Sequence, residues 1–193
     1  MVHFTPSLQE PRPFDFNCPR YCPRRTFPSY RHIPGLTPHP IKDPAGHSYG
    51  IDESTEPLVL SPEAWRTNED YLYGVDLYNF AYWWEAHESW EGLWHHAEDD
   101  YRLFLQGLIQ ISAALIKHHM RMPRPARTLS TAGSDKLREV LLNLKPSTET
   151  YMGIDLNEFL SRINEVFAPF RCDSVPDEAY TSPTVNPQIQ LVF

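Results

Sequence analysis

The clearest pattern of apolar and polar positions is "DDYRLFLQGLIQISAALIKHHM", residues 99–120. There Phe104, Leu105, Leu108, Ile111, Leu115 and Ile116 recur at i, i+3, i+4 and i+7. A single apolar stripe of this period predicts an amphipathic helix over about 99–120. "DLNEFLSRINEVF" repeats the period with Leu156, Phe159, Leu160, Ile163, Val166 and Phe167, and Asp155 stands where a capping oxygen starts a helix. Upstream, Ser61, Pro62 and Glu63 combine a cap, a first-turn proline and an acid suited to the helix dipole, so a helix is expected from 62 to about 78. Residues 79–82 form either a tight turn or a bend, after which "YWWEAHESWEGLWHHA" carries a second helix to about Ala97. "RMPRPAR" breaks the long helix, and a fourth follows over about 124–144, with a candidate interruption at "TAGSD". No strand and no internal repeat is legible. The expected fold is all-α: an antiparallel helical bundle of about five helices with short connections.

Both ends of the chain depart from this pattern. Ten of the nineteen prolines lie in residues 1–50, each fixing φ and removing a backbone donor, so that segment is not helical. It nevertheless carries Phe4, Phe14, Phe16, Tyr21, Phe27, Tyr30 and Tyr49, and disordered segments are poor in such rings. Residues 1–60 therefore read as an extended Pro-rich arm packing on a helical domain of residues 61–168, with residues 169–193 as a loose C-terminal tail. Charge supports the docking. Residues 1–50 hold six basic and three acidic side chains, and the rest of the chain holds eleven and twenty-two.

The net charge of −8 leaves no basic footprint for nucleic acid or an anionic membrane surface. No apolar run approaches the length needed to span a bilayer, and the N-terminus lacks a secretory pattern, so a cytoplasmic protein is expected. Three cysteines, Cys18, Cys22 and Cys172, do not form a disulfide framework. Cys18 and Cys22 with His32 or His39 offer a weak zinc reading, against ordinary free thiols in a loop. A small-molecule ligand and a homo-oligomer are both compatible with the sequence.

Candidate chemistry concentrates in "YWWEAHESWEGLWHHAEDD", residues 82–100. With His87 at 0° on a helical wheel, Glu91 falls at about 40°, Trp84 at about 60°, His95 at about 80°, Glu88 at about 100° and Trp94 at about −20°. An ionisable pair among large rings is partly desolvated, which shifts its pKa values and strengthens its contacts. Three readings compete. His87 and Glu91 form an i, i+4 strut; or His87, Glu91 and His95 ligate a divalent metal; or Glu91 or Glu88 acts as a general base beside His87. The zincin pattern H-E-x-x-H does not apply, because the second histidine is replaced by glutamate. Gln106 and Gln110, one turn apart beside Gly107, either face water or border the same site. His96, His118 and His119 read as surface residues.

The pairing of "LYNFAYWWEAHESWEGLWHHA" with "FLQGLIQISAAL" resembles the domain-of-unknown-function family 309. Its motif H-x-x-x-E-x-x-W is matched by His87, Glu91 and Trp94, and its Q-G-L-I-Q segment by Gln106 to Gln110. The resemblance covers roughly residues 70–168. It implies an all-helical fold and a metal at the His/Glu motif, with no reaction attached. Similar extensions carry an "HP…DP…GHS" segment, matched by His39, Pro40, Asp43, Pro44, Gly46, His47 and Ser48, which would either complete the site or act as a structural clasp. The resulting expectation is a pocket on His87 and Glu91, edged by Trp84, Glu88, Trp94, Gln106, Gln110, His39 and His47, that holds a divalent metal or a small polar ligand. The alternative is a non-catalytic structural or interaction module in which the same residues are core hydrogen-bonding struts.

Overall fold

A computed structural model describes residues 10–51, 61–145, 148, 150–171 and 187–193. Five α-helices dominate: α1 Glu69–Asn79, α2 Trp83–Trp94, α3 Asp99–His119, α4 Pro123–Asn143 and α5 Leu156–Phe167. Consecutive helices pack on one another, most extensively α3 on α4, to form an all-α bundle. Its centre is filled by Trp90, Tyr71, Tyr78, Phe104, Leu108 and Leu137, all fully buried.

The helix boundaries follow local chemistry. Pro62–Thr67 forms a 3-10 turn, and Ser61 makes no side-chain capping bond, contrary to the expected helix start. The backbone resets at Asn68, whose side chain accepts the Tyr71 amide, so α1 begins at Glu69. Residues 79–82 resolve as a turn. Ala81 takes φ 64°, the Ala81 amide donates to the Tyr78 carbonyl, and the Tyr82 amide donates to Leu77 at 2.8 Å. This is a Schellman closure with alanine where glycine is usual. Arg121, at φ 55°, closes α3 in the same manner.

Three other expectations change. The second helix stops at Trp94, short of Ala97. α4 runs through "TAGSD" without interruption, because Gly133 lies against Gly107 of α3, where a side chain would meet the Gly107 carbonyl at 2.9 Å. "TYMGID" forms a small antiparallel hairpin, Thr150–Tyr151 (β1) with Ile154–Asp155 (β2). Met152 and Gly153 both have positive φ, the geometry of a tight I′ turn. α5 starts as expected, with the Asp155 carboxylate accepting the Glu158 amide at 2.9 Å.

The arm is clamped to α1 and α2. Asp76, fully buried, accepts from Arg20 Nε at 2.7 Å and from the Tyr21 and Cys22 amides at 2.7 and 2.9 Å. Arg25 pairs with Asp70, and Phe27 stacks on Tyr82 at 4.9 Å. Phe16 and Tyr49 remain exposed, and Phe4 lies outside the described residues. Cys18 and Cys22 are buried free thiols, and burial pushes the Cys18 thiol up to about 11, the reverse of a ligating thiolate. They do not gather with His32 or His39: among the described residues no metal-like cluster includes them. Cys172 lies outside the described residues.

The end of the tail, expected to be loose, is anchored. Asn79 accepts the Ile189 amide and donates to the Ile189 carbonyl, both at 2.8 Å, and the Val192 amide donates to Gly153. His118 and His119 are also not plain surface residues. Their rings meet Phe170 at 5.0 Å and Trp83 at 6.3 Å, whereas His96 is exposed.

Candidate functional site

α2 is only twelve residues long, yet its sides have different fates. Trp90 is drawn into the core because Gly74 of α1 has no side chain there, and its indole donates to the Tyr71 carbonyl at 3.3 Å. Trp83 packs against Phe14 of the arm and His119 of α3. The large rings at these positions thus serve packing.

His87, Glu88 and Glu91 lie together on a partly exposed side. Each offers one ligand atom, and the three atoms lie within 4.8 Å of one another. His87 Nε2 is 3.5 Å from Glu91 Oε2, with the two side chains 28% and 40% exposed. This is a half-open face. Desolvation nonetheless holds the His87 pKa below its ordinary value, prevailing over the opposing pull of the Glu91 carboxylate and of the Ile109 backbone on α3. His87 is therefore neutral at pH 7, with a nitrogen lone pair available.

The other expected residues have the following surroundings. His95 is exposed, its ring edge on Trp94 at 5.2 Å, and it stands outside the three-residue cluster. Trp94 is covered by the Arg102 guanidinium, 3.8 Å above the ring. Gln106 and Gln110 are half-buried on α3, and the Gln110 side-chain oxygen is enclosed without a donor. Trp84 meets His32 and His39 edge-on at 5.0 and 5.5 Å. His47 turns to Glu85: its Nε2 is 3.1 Å from Glu85 Oε1, and its Nδ1 is 2.9 Å from Ser48 Oγ.

The family model described as "Domain of unknown function (DUF309)" matches residues 71–129. This stretch of the chain is similar to the DUF309 family. It runs from α1 through α2 and α3 into α4, and so holds both the His87–Glu91 pair and the Gln106–Gln110 segment. Comparison with curated proteins gives no match.

One residue of the matched segment escaped the sequence reading. Glu85 is a buried carboxylate that accepts the His32 amide at 2.8 Å as well as the His47 ring, and burial raises its pKa. On a wheel it falls about 160° from His87, the side a bundle model gives to water. The arm lies across that side and meets it through His32 and His47.

Proposed function

We propose that the His87, Glu88 and Glu91 face of α2 binds a divalent cation. What supports this is the convergence of one imidazole and two carboxylates within 4.8 Å on little more than one helical turn. The donor set is nitrogen and oxygen without sulfur, which suits zinc, manganese or ferrous iron better than a thiophilic ion. Metal–ligand distances of about 2.0–2.2 Å require the three donors to draw closer on binding, and side chains that are only half-buried can do so. The depressed His87 pKa supports the reading, since a ligating imidazole must be neutral. Three protein donors leave coordination positions for water or a small polar ligand. The arm histidines His39 and His47 engage Trp84 and Glu85 and act as a clasp. The unbridged thiols of Cys18 and Cys22 support a cytoplasmic setting, and the net charge of −8 speaks for a small ligand over nucleic acid.

The rival reading is a non-catalytic module in which His87 and Glu91 are an i, i+4 strut, favoured by their 3.5 Å contact. Elemental analysis of protein purified without an affinity tag separates the two. A stoichiometric divalent metal in the wild type, lost in His87→Ala/Glu91→Ala, is the expected result. Absence of metal from both proteins, with a large fall in Tm in the variant, would establish the strut instead.

A further inference from the structure

A second site lies between α4 and α5. A groove of about 230 Å³ is lined by Arg127, Ser130, Thr131, Ser134 and Arg138 of α4 and by Asn164 of α5. Ile163 and Phe167 form its apolar side. The five α4 residues recur at i, i+3, i+4, i+7 and i+11, so they share one face of that helix. A face turned toward a neighbouring helix is ordinarily apolar, and here it carries three hydroxyls and two guanidiniums. Two of the hydroxyl residues, Ser130 and Ser134, are buried at 5% and 3% exposure.

The electrostatics are equally out of character for the chain. Residues 117–138 contain six basic side chains and one acid, Asp135, in a protein whose net charge is −8. Arg138 is held in place by Asp135 at 2.7 Å and by the Asn164 side-chain oxygen at 3.3 Å, which fixes one guanidinium at the groove. Eleven residues of helix put Arg127 and Arg138 roughly 16 Å apart along the axis, with the hydroxyls between them. A guanidinium fork at each end of a row of hydroxyls is a recognition pattern for carboxylate and phosphate groups. The volume falls below the roughly 300–1,000 Å³ of pockets for drug-sized ligands.

We propose that this groove binds a small, elongated anion bearing phosphate or carboxylate groups, with Arg127 and Arg138 bracketing its charged ends and Thr131 and Ser134 donating to its middle, while the Ser130 hydroxyl donates to the Arg127 carbonyl at 3.1 Å. The site is separate from the metal face of α2, and its test does not depend on metal. Full-length protein kept in EDTA is titrated with inorganic phosphate and, separately, with succinate, each against sodium chloride at matched ionic strength, and Tm is followed. A ligand that binds only the folded state raises Tm by about 5 °C near saturation for a chain of this size. Arg127→Gln/Arg138→Gln should lose the rise. So should Thr131→Glu, which places a carboxylate at an exposed position of the groove and leaves both arginines intact. His87→Ala/Glu91→Ala should keep it. A response to phosphate alone or to succinate alone upholds the site and names the ligand's charged group. No rise beyond sodium chloride with either anion, or an undiminished rise in a helical, folded Thr131→Glu protein, overturns the proposal.

Discussion

At the scale of single residues, the helix positions three donors, and the surrounding protein sets the protonation of one of them. For His87, burial outweighs a carboxylate one turn away, so the folded state favours the neutral ring. The linkage sign follows. The unfolded chain takes up a proton near pH 6.5 while the folded one resists, so His87's share of stability is full above that pH and is lost as pH falls through 6.5 toward the lower folded value. His87→Asn removes this share. The stability difference between wild type and His87→Asn, measured in EDTA by urea denaturation from pH 8 to pH 5, should shift against the wild type on acidification. A difference that grows in favour of the wild type on acidification would mean the ring is stabilised as a cation. Glu85 contributes with the opposite sign in both proteins: its pKa is raised by burial, so the stability linked to its neutral form is lost as pH rises through the folded value. Comparing the two proteins therefore isolates His87.

At the scale of helices, close approach depends on where side chains are missing. Gly107 and Gly133 let α3 and α4 meet backbone to backbone. A Cβ on Gly133 would sit 2.9 Å from the Gly107 carbonyl and 3.1 Å from Ile111. Gly133→Ala should therefore destabilise by about 1–3 kcal/mol, overriding the roughly 1 kcal/mol that alanine contributes as a helix former. Gly92 on α2 has open space at the same position, so Gly92→Ala should stabilise by about 1 kcal/mol. Urea midpoints moving in opposite directions for the two variants are the check. Two destabilised variants would place a neighbour at Gly92, and two stabilised ones would refute the tight α3–α4 crossing.

At the scale of the whole molecule, the two ends of the chain are fastened to one helix. α1 presents Asp76 to the arm and Asn79 to the tail, and the Leu191 amide donates to Tyr21, joining the two ends. Each fastening satisfies polar groups that are buried at the contact, where an unmet hydrogen bond costs about 1–3 kcal/mol. Asn79→Ala should therefore lower stability by about 2 kcal/mol. Removal of residues 187–193 should cost a similar or larger amount, and Asn79→Ala added to that deletion should cost little more, because both disrupt one interaction. Fully additive losses in thermal denaturation would show that Asn79 stabilises something other than the tail.

The sequence by itself determined the helical body. The stripe from Phe104 to Ile116, the cap at Asp155 and the proline break after α3 act through neighbours three or four positions away, so they can be read without knowing the fold. The juxtaposition of His87 with Glu91 is of the same kind, since one helical turn brings them together. The I′ turn at Met152–Gly153 is local too, but a methionine at positive φ gives little notice of itself. The tertiary structure decided what lies across each helix. It buried Glu85 under the arm, set Trp83 and Trp90 against the arm, α1 and α3, kept α4 continuous through Gly133 and fixed the end of the tail to Asn79. These outcomes rest on contacts between residues well separated in the chain, 53 positions for Glu85 with His32 and 110 for Asn79 with Ile189. Periodicity along one chain segment carries no information about which distant segment will exclude water from it.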